Sequence, residues 1–193
     1  MSRAHARGAT LLEVLITTVI IAIGLLAIAG LQARLQLSEM ESYQRAQALL
    51  LLNDMASRMS ANFRNMGDYE TLPASPLGVG MICASADPIT STRAEVDLSD
   101  WCRALQGTGE VIPAGGALPA RNVGAMVGAR GCIEEPNTNI WLITVVWQGL
   151  TPVSAPPAGV ACGAGLYNGG AGNPCVDDLC RRYVTTIVRT GVL

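Results

Sequence analysis

Lysine is absent from this sequence of 193 residues, and histidine occurs only once, at His5. These two side chains are the ones most often used for acid, base or Schiff-base chemistry near neutral pH. The sequence also contains no nucleophile motif and no glycine pattern that binds phosphate. The composition therefore argues against an enzyme, and it predicts neither a cofactor nor a catalytic residue.

Basic charge is scarce as well. All 13 basic residues are arginines, against 15 acids, and the formal net charge is −2. Without Arg3 and Arg7, which precede the first apolar segment, the side chains carry a net charge of −4. Domains that bind nucleic acids usually carry clustered Lys and Arg on one face. We therefore predict no nucleic-acid partner.

A long apolar segment near the N-terminus carries no charge between Glu13 and Arg34. As a helix, residues 9–33 would be about 37 Å long, enough to cross a bilayer core of about 30 Å with some tilt. Arg3 and Arg7 precede this segment without any acid, and the positive-inside rule keeps such a leader in the cytoplasm. We predict one membrane-spanning helix, with the rest of the chain exported.

A cleaved secretory signal is an alternative interpretation of the same segment. Ala27-Ile28-Ala29 is a weak match to the small-residue cleavage site that such signals carry. The helical pattern, however, continues through Gln32 and beyond Arg34, where a signal peptide would already have ended. We therefore favour the membrane-spanning helix.

Glu13 is the only acid within the apolar segment. A carboxylate in hydrocarbon costs about 2.5 to 3.5 kcal/mol on insertion scales, so an ionisable residue there indicates a function and a nearby partner. Near the membrane surface, the same side chain could instead reach the headgroups or become protonated. If Glu13 is buried and charged, its partner must be a cation.

Residues 8–16 read GATLLEVLI, which resembles the class III prepilin signal of type IV pilins and pseudopilins. The resemblance implies cleavage after Gly8 by prepilin peptidase and N-methylation of the new terminus, Ala9. Most members of the family have Phe where Ala9 stands. The α-amino group of Ala9 in a neighbouring subunit, cationic below a pKa of about 7.7 to 8.0, would pair with Glu13 and set the register of assembly.

After residue 33 the helical period continues as an amphipathic segment, residues 34–66. Because no proline precedes Pro73, the two segments are predicted to form one helix of about 50 to 58 residues. We expect a β-sheet to cover its apolar stripe, which contains Met40, Tyr43, Leu52, Met55, Met59, Phe63 and Met66.

The remaining residues, 67–193, are rich in Gly, Pro, Ala and Ser, and their number predicts one globular domain. Within them, residues 96–105 predict a short helix capped by Asp97 or Ser99. Residues 124–132 predict a short strand or a turn.

Two longer strands are predicted near the C-terminus, at residues 140–147 and 182–189. Trp141 and Trp147 are six residues apart, so they share one face of the first strand, which favours a role in the core. The strands are separated by residues 148–181. A loop of that length in a compact domain is usually functional or specially stabilised.

All six cysteines follow the membrane segment, and an even number in an exported domain predicts disulfides. Six cysteines allow fifteen pairings, among which we favour Cys83 with Cys102 and two bridges within the other four. Zinc binding is an alternative, although the sequence has no C-x-x-C motif and no histidine after His5. The six are Cys83, Cys102, Cys132, Cys162, Cys175 and Cys180.

Three side chains of the 148–181 loop could supply oxygen ligands for calcium, namely those of Asn173, Asp177 and Asp178. Their spacing does not match an EF-hand. We favour solvated turn residues, and we predict no metal site.

Several segments together resemble the PilV family of minor pilins, the type IV pilus modification proteins. The resemblance implies an α+β, type IV pilin-like fold, in which a long N-terminal helix packs on an antiparallel β-sheet domain with disulfide-stabilised loops. The segments are EVLI at 13–16, IGLLAIAGLQ at 23–32, QA at 47–48, LNDMASRM at 52–59, Asn62, VVWQG at 145–149 and CRRYVTT at 180–186.

The same resemblance implies a function in the type IV pilus. The partners would be other minor pilins, the major pilin, prepilin peptidase and the inner-membrane assembly platform. Such a subunit would prime pilus assembly at the tip and support adhesion and twitching motility. The chain would lie in the bacterial inner membrane with its domain in the periplasm, and after assembly on the pilus at the cell surface.

Two other classes of protein fit parts of the sequence. A type II secretion pseudopilin shares the signal and the helix but assembles a short periplasmic pseudopilus. A membrane-anchored periplasmic enzyme or binding module would use the domain alone, and the missing Lys and His count against the enzyme. An adhesive role of the 148–181 loop is a further hypothesis.

Overall fold

The chain divides into two compact units, Met1–Met40 and Glu41–Leu193. The proposed cleavage and methylation positions, Gly8 and Ala9, lie outside the described residues. The computed structural model describes residues 10–107, 111–112, 121–122 and 126–189, and for 111–112 and 121–122 it describes the backbone only.

The first element is a helix of 51 residues, α1, which extends over Leu11–Ala61. Its N-terminus is capped by Thr10, whose Oγ1 accepts the backbone N–H of Glu13 at 3.3 Å. The prediction of one uninterrupted helix is confirmed, since no proline breaks it. The helix ends at Ala61, and a 3₁₀ helix, Phe63–Tyr69, follows.

A four-stranded antiparallel sheet forms the other layer of the domain. The strands of the domain are β1 Leu77–Gly78, β2 Val111–Ile112, β3 Arg121–Asn122, β4 Arg130–Asn137, β5 Ile140–Gln148 and β6 Arg181–Arg189. The sheet contains β1, β4, β5 and β6 in that order, and a separate two-stranded ribbon pairs β2 with β3.

The two strands predicted near the C-terminus are confirmed as β5 and β6, and residues 149–180 between them contain no helix or strand. Within the range 124–132, where a short strand or a turn is predicted, the structure has both, although residues 124–125 lie outside the described residues. Residues 127–128 form a turn, and β4 begins only at Arg130. Its second half, with Glu134, Glu135 and Pro136, resembles a loop in composition, but pairing with β5 makes it extended.

The apolar core lies between α1 and one face of the sheet. Trp141 and Trp147 are both buried in it, as their shared face predicted. From the predicted stripe, Leu52, Met55, Met59 and Met66 are buried. The other core residues include Ala48 from α1, Ile133, Ile143 and Val145 from β4 and β5, and Val184 and Val188 from β6.

The stripe prediction is wrong for Met40, Tyr43 and Phe63, which are exposed. The buried seam runs instead through Gln44 and Ala48. Tyr43 is one residue from this seam and is therefore turned about 100° away from it on a helix of 3.6 residues per turn. Phe63 lies beyond the end of the helix.

The second helix, α2, extends over Arg93–Leu105. The predicted helix is confirmed, but the predicted cap is wrong, since Thr92 forms a capping box with Glu95. Asp97 and Ser99 lie inside the helix, where both are buried. Three residues that precede the expected start therefore belong to the helix.

Trp101 connects α2 to both layers of the domain. Its side chain is fully buried, and its indole N–H donates to the carbonyl of Leu51 at 3.0 Å. The ring lies against Gly131 of β4, where a Cβ atom would collide with it. Glycine at this strand position thus makes room for the largest buried side chain.

Candidate functional site

The N-terminal half of α1 is the first candidate site. Every described side chain from residue 10 to residue 40 is exposed, and the segment is long and apolar enough to cross a membrane. Such a helix, apolar on all sides, needs lipid or other protein around it.

Within this segment the polar hydroxyls are already satisfied. Thr17 Oγ1 donates to the carbonyl of Val14, and Thr18 Oγ1 donates to that of Leu15, each at 2.9 Å. Groups bonded in this way lose little on entering hydrocarbon, where unsatisfied polar groups are costly.

Glu13 differs from these threonines. It lies in the first turn of α1, where the helix dipole favours an acid. Within the described part of the chain, its carboxylate forms no ion pair. The geometry therefore leaves this carboxylate available to a cation from outside the described residues.

The second candidate site is the loop of residues 149–180, which covers the sheet face opposite α1. Cys162 of the loop is bonded to Cys132 of β4, and Tyr167 is buried beside them. The Tyr167 hydroxyl donates to the carbonyl of Gly128 at 2.7 Å. Burial raises the pKa of Tyr167 to about 12, although the Arg130 guanidinium, 5.1 Å from the ring centre, opposes this shift.

Arg181, the first residue of β6, organises the inside of this loop. It is only 5 % exposed, and its Nη1 donates to the carbonyls of Val160 and Cys162 at 2.8 and 2.9 Å. Its Nε lies 3.2 Å from Asp178 Oδ2. Sequence analysis missed this role, and the only signal was an arginine pair directly after Cys180.

Two of the three calcium candidates serve the loop's own backbone. Both carboxylate oxygens of Asp178 accept the N–H of Gly165, at 2.9 and 3.1 Å. Asn173 Oδ1 accepts the N–H of Cys175 at 2.8 Å. Asp177 is exposed and has a positive φ of 51°. These side chains act as turn residues in the structure.

All six cysteines form disulfides, so no thiolate is free to bind zinc. The structure joins Cys83 to Cys102, the pair favoured from sequence. The other two bridges connect Cys132 to Cys162 and Cys175 to Cys180. The second of the three ties the loop to the sheet, and the third closes the end of the loop.

A polar joint links α1 to the ends of the loop. Glu41 Oε1 accepts bonds from Arg182 Nη2 at 3.1 Å and from the N–H of Leu150 at 3.2 Å. Arg182 also donates to the carbonyl of Thr151 at 2.7 Å. A Cβ atom at position 149 would collide with this guanidinium, which explains Gly149.

A buried charge network joins α1, the 3₁₀ helix and α2. Asp97 is fully buried, and its Oδ1 accepts from Arg58 Nη1 at 2.9 Å. Its Oδ2 accepts from the Tyr69 hydroxyl at 2.7 Å and from Arg93 Nε at 3.1 Å. Asn62 donates to the same hydroxyl at 3.2 Å. Every oxygen of the buried acid is thereby paired.

Two side chains of this network have shifted acidity. Burial, together with the bond to Asp97, raises the pKa of Tyr69 to about 12. Burial lowers the pKa of Arg58, but its contacts with Asp97 and Asp54 outweigh that effect and raise the value overall. These shifts keep Tyr69 neutral and Arg58 charged.

One comparison with known proteins identifies the N-terminal segment. Residues 3–29 match the family model of the prokaryotic N-terminal methylation motif. No curated protein and no solved structure matches the chain significantly. Together with the α+β fold, the motif supports a type IV pilin-like protein, a pilin or a pseudopilin, that prepilin peptidase processes and that assembles in the membrane with pilin partners.

Proposed function

We propose that this chain is a minor pilin that is incorporated into the type IV pilus or primes its assembly, as part of a tip complex with other minor pilins. The observation that carries the proposal is the methylation motif at residues 3–29, which includes the first part of a helix of 51 residues. The domain of this subunit lies in the periplasm before assembly and on the pilus afterwards.

Glu13 has the central role in assembly under this proposal. Cleavage after Gly8 creates an ammonium group at Ala9, and the carboxylate of Glu13 pairs with that group in a neighbouring subunit. Glu13 lies exposed in the first turn of α1, and its carboxylate forms no ion pair with any residue that the structure describes, which supports this role. Removing one partner of a buried ion pair costs about 3 to 5 kcal/mol, so the pair discriminates strongly between registers.

Assignment to the PilV family rests on segments that meet in the fold. Residues 145–149 and 180–186, which carry the C-terminal part of the resemblance, pair as neighbouring strands. The polar joint of Gly149, Arg182 and Glu41 connects them to α1. We propose that the domain acts structurally and has no enzymatic activity, as the absence of Lys and of any His after His5 suggests.

Deletion and complementation in the native bacterium test the minor pilin assignment. Loss of the gene should abolish or strongly reduce surface pili and twitching, and the wild-type chain should restore both. Glu13→Ala should reach the membrane but not the sheared pilus fraction. Glu39→Ala, an exposed acid on the same helix, is the matched control and should behave as wild type. Normal incorporation of Glu13→Ala would contradict the proposal.

A type II secretion pseudopilin is the second candidate, because the same N-terminal motif serves both classes. The deletion strain separates the two. If pili remain normal and export of folded proteins to the medium stops, the chain is a pseudopilin. If neither process changes, a membrane-anchored binding module becomes the better assignment.

We also propose that residues 149–180 provide an adhesive surface. The disulfide of Cys132 with Cys162 and the contacts of Arg181 hold this loop against the sheet, and the disulfide of Cys175 with Cys180 closes its end, which gives the loop a defined shape. Its exposed apolar side chains include Val153, Leu166 and Val176. Replacing these three by Asp should lower attachment of piliated cells without lowering pilus number, and unchanged attachment would contradict this role.

A further inference from the structure

The outer edge of β6 carries main-chain hydrogen-bonding groups that no described residue of the chain uses. Gln148 of β5 donates its N–H to Val127, on the side of β4. Along a strand, the main-chain N–H and C=O groups of neighbouring residues point to opposite sides. Those of Ile143 and Val145 therefore point toward β6, where Thr186 and Val184 lie opposite them. The main-chain groups of the alternate residues of β6 then point outward, away from β5.

These outward residues are Tyr183, Thr185 and Ile187, and all three are exposed. Within the described part of the chain, their outward N–H and C=O groups form no hydrogen bond. The six residues 183–188 read YVTTIV, with five β-branched side chains and no charge, proline or glycine. Natural sheets usually protect an edge strand with charged residues, proline or a bulge. Residues 183–188 have no charge and no proline, so this edge is open to strand pairing.

The opposite edge of the same sheet is closed. β1 pairs with the start of β4, and Thr71 then satisfies both main-chain groups of Ile133, at 2.8 and 2.7 Å. Pro136 and a register shift between Glu134 and Asn137 interrupt the remainder. Among the residues that the structure describes, one edge is thus protected and the other is exposed.

A groove lies beside the open edge. Its volume is about 750 Å³, and small or polar side chains of α1 form one wall. The hydroxyls of Ser57 and Ser60 donate to main-chain carbonyls of α1, so they do not compete for a ligand's hydrogen bonds. The lining residues are Asn53, Ala56, Ser57, Ser60, Ile187, Val188 and Arg189.

Charge indicates the kind of segment that fits this groove. Arg189 is the only charged residue of the lining, it is exposed, and it forms no ion pair among the residues that the structure describes. An acidic side chain on the occupant would complement it. β6 itself, residues 181–189, contains no acid, so pairing with β6 of a second copy would place no carboxylate opposite Arg189 in any register. This disfavours a second copy of the chain.

We propose that the open edge of β6 binds an extended segment of a different pilin-like subunit, which adds to the sheet as a fifth strand. Main-chain bonds to Tyr183, Thr185 and Ile187 provide the affinity, the groove accepts side chains, and Arg189 selects an acidic residue. This inference rests on the proposed function, since that function supplies neighbouring pilin subunits.

Photo-cross-linking of the full chain in piliated cells tests the position of the partner. Benzoylphenylalanine at position 185 should form an adduct with another pilin-like subunit, identified by mass spectrometry. The same probe at Leu72, which is 69 % exposed and away from this edge, is the control and should form no such adduct. An adduct of position 185 with a second copy alone, or with no pilin, would overturn the proposal.

A proline substitution tests the main-chain contact. Thr185→Pro removes only an outward N–H and places the ring where the incoming strand would lie, so the bonds to β5 remain. Recovery of the partner with the full chain should fall about tenfold or more, whereas Thr185→Ala should leave it unchanged. Equal recovery with the two variants would contradict strand addition.

A charge variant guards against loss of folding in Thr185→Pro. Arg189→Glu should reduce recovery of the partner severalfold, and Arg189→Lys should largely preserve it, because both leave the strand intact. If Arg189→Glu has no effect, the proposal that the partner segment carries an acidic residue opposite Arg189 is wrong. Retained pili in the deletion strain would refute the proposed function itself, whereas pili that need the chain but tolerate Thr185→Pro and Arg189→Glu would refute this inference alone.

Discussion

Residues 11–40 of α1 expose their apolar side chains on all sides, whereas residues 41–61 bury a narrow seam against the chain's own sheet. Both belong to one helix without a break, so local conformation does not distinguish them. The difference lies in the pattern, since an all-round apolar helix needs an apolar surrounding and an amphipathic helix needs only one covered face.

The comparison shows where the partners of each segment come from. In the second segment they are provided by this chain, as in the contact of Arg58 with Asp97. In the first segment Glu13 has no ionic partner among the described residues, and its proposed partner belongs to another subunit. Under the proposed function, the first segment serves assembly, whereas the second serves the stability of the domain.

The largest expected effect on stability comes from Asp97. In a fragment of residues 34–193, Asp97→Ala should lower the free energy of unfolding by about 3 to 5 kcal/mol, because it leaves buried hydrogen-bonding groups without their acid. Urea unfolding measures the change. The control is Asp100, which is half-exposed and whose Oδ2 lies 3.6 Å from Nη1 of Arg58, the arginine that also contacts Asp97. Equal losses for Asp97→Ala and Asp100→Ala would mean that burial does not matter here.

Matched methionines on α1 test the boundary between the two segments. Met55 is fully buried and Met40 is 53 % exposed. Met55→Ala should cost the same fragment about 2 to 5 kcal/mol through the cavity it leaves. Met40→Ala should change the free energy of unfolding by less than about 0.5 kcal/mol. A large loss in the Met40 variant would place the boundary earlier in the helix.

The two disulfides of the 149–180 loop extend the comparison to the sheet face opposite α1, where the bond between Cys132 and Cys162 holds the loop. Replacing Cys132 and Cys162 by Ala should destabilise the domain by about 2 to 4 kcal/mol, since the bridge closes a long loop. The same change at Cys175 and Cys180 should cost less, because these residues are only 5 apart against 30. Thermal unfolding of both variants ranks them.

The smallest effect is confined to alkaline pH. Since burial raises the pKa of Tyr69 to about 12, the folded domain holds a proton that the unfolded chain loses near pH 10. The contribution of Tyr69 to stability is therefore fully present below pH 10 and is lost as pH rises from about 10 to 12. Tyr69→Phe should make the unfolding free energy flatter over this interval. An unchanged slope would show that Tyr69 does not contribute to it.

Much of the fold could be predicted from residues that are close in sequence. The helix, β5 and β6, and the shared face of Trp141 and Trp147 follow from periodicity and from missing prolines. The cap of α2 could not be predicted, because Asp97 is a good capping residue by type. In the structure, however, Asp97 is buried and accepts hydrogen bonds from Arg58 and Tyr69, which are distant in sequence. Thr92 caps the helix instead.

The candidate site shows the same division. Glu13 stands out in the sequence because it is the only acid in a long apolar segment. Arg181 does not stand out, because it is one of two adjacent arginines. Arg181 contacts the loop and Arg182 contacts Glu41. The neighbouring residues in the sequence do not indicate which of the two arginines is buried.

By itself the sequence determined the membrane-spanning segment, the length of α1 and the prepilin-type signal, because run length, period and spacing are properties of neighbouring residues. Only the tertiary structure decided which cysteines pair, which face of β5 the loop covers, and that β6 is an open edge while β4 is closed. These features depend on which strands and loops become neighbours in space, and no pattern within a single segment contains that information.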